Sequence, residues 1–153
     1  AVILIEKMKG LTTGRFITLY ALIRQLAGLF GIRLSAQPQF VRPIVNPMAQ
    51  AAANARYGKI SEADEEIIKA KSAANENFAN FFAQNTFAAS AGVLLISGTL
   101  TSLGYEVQAT SIVLVALIIA GISFVLIAID NFLFDLKMDR KYGKKSSKGG
   151  QKS

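Results

Sequence analysis

Arg24 and a run of uncharged polar residues, Asn77, Asn80, Gln84, Asn85 and Thr86, are the side chains best placed to do chemistry in this chain. Arg24 stands in Phe16 to Ile32, a stretch otherwise broken in its apolar character only by Gln25. At the centre of a membrane helix an arginine costs roughly 2.5–3.5 kcal/mol, so it must face a partner or a wet cavity. A planar guanidinium fork suits a carboxylate ligand, and it equally suits a structural ion pair or backbone carbonyls. The polar run places five such residues within ten positions at the start of an uncharged stretch. Amides in hydrocarbon need partners, which makes them either interhelical glue or the lining of a polar pathway. Asn46, between Pro43 and Pro47, is a further candidate, because broken backbone beside it would free carbonyls and amides for a ligand or ion. The candidate substrate-binding set is therefore Arg24, Asn46, Asn80, Gln84, Asn85 and Thr86.

Other chemistry is excluded by what the sequence lacks. It has no cysteine and no histidine, which removes disulfides, thiolate nucleophiles, the usual base of a serine triad and the commonest zinc ligand. No catalytic residue, metal site or cofactor site is expected, and the chain is read as a non-enzyme. A membrane enzyme would have to work with Asp, Glu, Lys, Arg or Tyr alone. Gly143-Lys144-Lys145-Ser146 lacks the upstream glycine and the preceding strand of a phosphate loop.

The elements that must carry these residues are helices in lipid. Of 153 residues 52% are hydrophobic and only 18% charged, against about 25% in soluble domains. Between Glu106 and Asp130 there is no charge, and Val107 to Ile129 at about 1.5 Å per residue covers a hydrocarbon core of roughly 30 Å. A second uncharged stretch, Asn77 to Tyr105, is long enough for one span and a turn, so Asn77 to Leu100 is expected to re-enter the membrane. Gly98 to Gln108 then forms the turn of a helical hairpin. Tyr20, Arg24, Gly28 and Gly31 share one face of the first helix, which Thr12 or Thr13 caps and Gly31 closes. Pro38, Pro43 and Pro47 forbid one regular helix through residues 35–48, so a re-entrant or broken element is expected there. Ala49 to Glu76 reads as an amphipathic surface segment, split at Gly58, with Ser61 and Asp64 opening its second helix. The phenylalanines Phe78, Phe81, Phe82 and Phe87 are packing or interfacial anchors. Asp130 ends the last apolar run as an ion-paired or snorkelling carboxylate, with proton coupling as the alternative.

The fold class is thus all-α: a polytopic membrane protein with a proline-broken segment and an amphipathic surface helix. Residues 1–142 form the membrane domain and 143–153 a disordered basic tail. Seven basic residues from Lys137 to Lys152 face only Asp135 and Asp139, so five of the seven net positive charges lie at this end. That placement marks a cytoplasmic, multi-pass terminus rather than a nucleic-acid surface. Three spanning helices would separate the basic lead-in Lys7–Arg15 from the basic tail, so one element must fail to span. The chain opens on an apolar run without an initiator methionine and reads as a piece of a longer protein.

Gly14-Arg15, Leu22-Ile23-Arg24, Pro38 to Pro43, Asn46-Pro47-Met48-Ala49, Tyr57-Gly58-Lys59, Asn77-Phe78, Asn80-Phe81-Phe82, Gln84-Asn85 and Gly98 to Tyr105 carry a family resemblance that runs to about Tyr142. The sequence resembles a bacterial membrane family catalogued as a domain of unknown function and associated with a pyroglutamate (oxoproline) transporter as a subunit. The resemblance implies an N-terminally truncated subunit of an inner-membrane carrier, half of a split member of the ion-transporter superfamily. A second membrane subunit would supply the other half. Substrate and coupling cation would bind at helix breaks near the midplane, which puts Asn46 and Gln84 to Thr86 near the site. The function expected is secondary transport of a small carboxylate; the alternative is a non-transporting scaffold that docks another protein through Ala49 to Glu76.

Overall fold

Thr12 opens the first helix in extended backbone and accepts the Arg15 amide at 3.3 Å, satisfying one of the donors that a helix start leaves unpaired. Helix α1 then runs Thr13–Leu29. It stops at Gly31, whose φ of 69° lets Ile32 N reach Ala27 O at 2.9 Å and Gly31 N reach Gly28 O at 3.0 Å. This double bond back onto the last turn needs a left-handed residue, which glycine supplies without strain. The computed structural model describes residues 11–32 and 41–149, with side chains to Gly143. Pro38 and the start of the proline-rich segment lie outside the described residues.

From Val41 the chain is helical again, first as a wide π turn over Val41–Val45 and then as α2, Asn46–Tyr57. A proline lacks an N–H and crowds the carbonyl four residues back. Pro43 and Pro47 are spaced to do this twice, and the widened turn is where that misfit is absorbed. Gly58 at φ 74° ends α2. Ser61 starts α3, Glu62–Asn85, accepting Asp64 N at 3.3 Å and donating to the Asp64 carboxylate at 2.7 Å. The split at Gly58 and the Ser61–Asp64 pairing follow the sequence reading.

Two expectations need correction. Asn77 to Leu100 is not one helix: α3 ends at Asn85, and α4, Ala91–Ser102, begins only after a break at Thr86–Ser90. The Thr86 hydroxyl bonds back to Ala83 O at 2.9 Å and Ser90 Oγ takes Val93 N at 3.4 Å, so local side chains close one helix and start the next. At 12 residues α4 is about 18 Å long, short of a full crossing. Second, Ala49 to Glu76 is not merely a solvated surface segment. Its helix α3 packs on α1, α2 and α5 and buries Ile68, Ser72, Asn75 and Glu76.

Helix α5, Ala109–Gly149, pairs with α4 as the expected hairpin, with Ser97 Oγ on Val107 O at 3.0 Å. The described residues are all-helical, with five α-helices and no strand. Among them α5 is the one helix long and apolar enough to cross a membrane, and only 6% of its most apolar 18-residue window is buried within the chain. Its later part is different. Phe134, Met138 and Tyr142 join Ile17 of α1, Ala49 and Ala53 of α2 and Ile68 of α3 in the main core. Full burial of an isoleucine such as Ile17 or Ile68 contributes about 1.5–3 kcal/mol. The core therefore sits among α1, α2, α3 and the second half of α5, while α4 and the first half of α5 extend from it.

Candidate functional site

Small residues bring α1 and α3 together. A Cβ at Gly28 would lie 2.3 Å from that of Ala83, so only glycine permits this crossing. One turn earlier on each helix the polar groups meet. Tyr20 and Arg24, four apart on α1, face Glu76 and Asn80, four apart on α3. The Tyr20 hydroxyl donates to Glu76 Oε2, Arg24 Nε lies 3.1 Å from Glu76 Oε1, and Arg24 Nη2 donates to Asn80 Oδ1 at 2.7 Å. Arg24 is 4% exposed and Glu76 1%. The Arg24 Nε–H does not point at the carboxylate oxygen, so the pair is a charge contact without an aligned hydrogen bond.

Arg24 and Asn80 form the inner wall of a cleft of about 580 Å³. Gln84 and Asn85 line it from the end of α3, Ser90 and Gly92 from the start of α4, and Phe81 and Phe87 supply its apolar rim. Its size falls within the range of small-molecule sites, about 300–1,000 Å³. Asn85 donates to Phe81 O at 2.8 Å, while its Oδ1 would be 2.9 Å from a Cβ at Gly92, so glycine there leaves the amide room. The cleft sits at the break between α3 and α4, where the chain changes direction beside a buried cation.

Of the residues the sequence singled out, the structure brings together Arg24, Asn80, Gln84 and Asn85 around this cleft. Thr86 is buried with its hydroxyl on Ala83 O, outside the cleft lining. Asn46 opens α2 and accepts from Gln50 at 3.2 Å, also outside it. The face formed by Tyr20, Arg24 and Gly28 holds as expected. Glu76 was missed, counted among the charges of a surface segment. Two signals pointed to it: an intramembrane arginine asks for a counter-ion, and Glu76 is the last acid before the uncharged stretch, four residues from Asn80.

A second set of polar contacts fastens α5 to the rest. Buried Asn131 donates to Asn75 Oδ1 at 2.8 Å and to Thr18 Oγ1 at 3.0 Å. Asp135 takes Gly14 N at 2.8 Å and the Thr12 hydroxyl, so a carboxylate of α5 sits on the N-terminus of α1, where the helix dipole favours it. Asp139 accepts from Tyr57 at 2.7 Å and pairs with Arg56 at 3.0 Å. Asp130 pairs with Lys71, in keeping with the ion-paired role expected of it. Near the last turn Lys141 meets Asp64 at 2.7 Å, and the Tyr142 hydroxyl also donates to Asp64. Burial pushes the Asp64 carboxyl up, but hydrogen bonds from Lys141, Ser61 and Tyr142 and the Lys141 charge outweigh it and hold the group below its usual value. Burial and then the Asp139 hydrogen bond push the Tyr57 phenol up, which keeps it a donor.

No group of three or more acids that could hold a metal ion occurs among the described residues. The chain belongs to the family described as protein of unknown function (DUF969), whose model matches residues 1–139. No curated protein and no solved structure matches the chain.

Proposed function

We propose that the chain is a membrane subunit of a secondary transporter for a small organic acid, with pyroglutamate as the candidate substrate, acting with a second membrane subunit. The carrying observation is the cleft at the α3–α4 break, where buried Arg24 meets the amides of Asn80, Gln84 and Asn85. A guanidinium offers paired donors to a carboxylate, and neutral amides offer donors and acceptors to a lactam ring without adding charge. Helix α5 supplies a segment able to lie in a bilayer. In this reading the chain is a multi-pass protein of the bacterial inner membrane, with its basic C-terminal end in the cytoplasm and a coupling cation moving with the substrate.

The docking alternative relied on Ala49 to Glu76 being a free surface segment. One face of its helix α3 packs on α1, α2 and α5 instead, which narrows that reading to the exposed face with Ile67 and Lys69. The test is uptake of labelled pyroglutamate into vesicles that carry the chain with its partner subunit. Saturable uptake, reduced at least tenfold by Gln84→Ala with Asn85→Ala, is expected; absence of any saturable uptake overturns the proposal.

A further inference from the structure

We infer that Glu76 is the proton-carrying carboxylate of this site: it takes up a proton from water as the substrate carboxylate replaces it on Arg24. The inference rests on the transport reading above and deepens it by naming the coupling ion.

Glu76 is a carboxylate that the substrate cleft itself does not use. It is 1% exposed and lies behind Arg24, which alone of the two lines the cleft. An ionised carboxylate in that position costs several kcal/mol unless a cation answers it. The answering cation, Arg24, is shared: its Nε lies 3.1 Å from Glu76 without an aligned hydrogen bond, while Nη2 is committed to Asn80 on the cleft wall. A cation held this way can turn toward the cleft by exchanging partners, because its five donors form a fork with more than one usable edge.

Charge decides what happens next. Among the described residues the charges balance, Arg24 against Glu76. A substrate carboxylate on Arg24 would leave one uncompensated negative charge among buried groups. Protonation of Glu76 restores neutrality, so one proton and one carboxylate enter together and leave together. The Tyr20 hydroxyl on Oε2 keeps the side chain in place in both states.

Among the described residues no second cation meets Glu76. From α1 the charged and titratable groups that face it are Tyr20 and Arg24. Its own helix offers the neutral Ser72, Asn75 and Asn80. The π turn sends Val41 and Val45 to the Tyr20 cluster and leaves Arg42 exposed. From α5 the neutral Asn131 reaches Asn75, while Asp130 is on Lys71 and Asp135 on Thr12 and Gly14.

The experiment uses the two-subunit complex in proteoliposomes with labelled pyroglutamate. In sodium-free buffer an inside-alkaline gradient of one pH unit should drive about tenfold accumulation, the ratio for one proton moved per substrate. A potassium diffusion potential alone should drive none. Glu76→Gln should lose the accumulation that the pH gradient drives, whereas the unmodified complex should also exchange external for preloaded pyroglutamate. Because that variant also disturbs a buried pair, the unmodified complex provides an independent reading: pyroglutamate added to it in weakly buffered detergent solution should take up one proton per molecule bound. Binding without proton uptake, accumulation driven by sodium at uniform pH, or proton-driven accumulation by Glu76→Gln would each overturn the inference while exchange leaves the transport reading intact. Absence of both exchange and uptake in the unmodified complex overturns both.

Discussion

The two halves of α5 lie on one uninterrupted helix and live in opposite surroundings. From Ala109 to Ile129 its apolar side chains are largely uncovered, with Leu114, Ile118, Ile122 and Leu126 all exposed. From Asp130 to Tyr142 polar and charged side chains reach α1, α2 and α3, and Asn131, Phe134, Asp135, Met138 and Tyr142 are buried. In the second half specificity comes from directed contacts: each carboxylate meets a named donor and the Asn131 amide its named acceptors. Among the described residues the first half makes no directed side-chain contact with α1, α2 or α3, only the apolar packing of Ile127 on Ala21 and Ala79, and its outer surface fits a medium without donors. Beyond its start, which lines the Arg24 cleft, α4 is likewise open: one of its 12 residues is buried, Val93. Among the described residues the buried ion pair and the Asn131 and Asp135 contacts sit where several helices meet.

The largest expected effect breaks the enclosed half. Glu76→Ala strands Arg24 and should destabilise the protein by about 3–5 kcal/mol in detergent unfolding, whereas Arg24→Met with Glu76→Leu should recover most of that loss. A double variant as unstable as the single would mean that the pair's neighbours, not its charges, set the cost. Next comes the open half. Ile118→Arg places a charge amid the apolar run and should disfavour membrane insertion by roughly 2.5–3.5 kcal/mol, seen as a shift of the chain out of the membrane fraction, with little change if that face meets water. Ile17→Val in the core should cost about 0.5–1.5 kcal/mol, while Ile118→Val should be within error in the same melt.

The smallest effect concerns pH. The Asp64 carboxyl is held below its ordinary value in the folded chain, so its contribution is complete above the unfolded value of about 4 and is lost as pH falls through the folded one. Lys141 is held above its ordinary value by the Asp64 hydrogen bond, so its share is complete below the unfolded value of about 10.4 and is lost as pH rises through the folded one. Asp64→Asn should therefore lower the melting temperature modestly at pH 7 and leave a shallower fall below pH 4 than the parent shows. Equal acid limbs in the two proteins would assign that sensitivity to other carboxylates.

Much of this was legible in the residues. The Thr12 cap, the Gly31 stop, the split at Gly58 and the Ser61 start each rest on local backbone chemistry, which a sequence states directly. The Tyr20, Arg24 and Gly28 face follows from helical spacing, and the apolar run of α5 from composition. Glu76 was not legible by the same means. It lies in a stretch of alanine, glutamate and lysine where a buried carboxylate and a solvated one have the same neighbours in sequence. The continuity of α3 was hidden for a related reason: no residue between Ser61 and Asn85 breaks a helix, so the change from charged to uncharged composition looked like a boundary. Asn131 and Asp135 follow an apolar run, and nothing beside them in sequence points to their partners, more than 50 residues away.

Asp135 and Asn131 give α5 the properties of a lever. They grip α1, the helix that carries Arg24, at Thr12, Gly14 and Thr18, and beyond that fulcrum some 30 Å of stiff helix projects. A 10° tilt about the grip would swing the free tip by about 5 Å and pull on α1 through its capped end. The same grip holds the capped end of α1 about three turns from the Arg24 guanidinium.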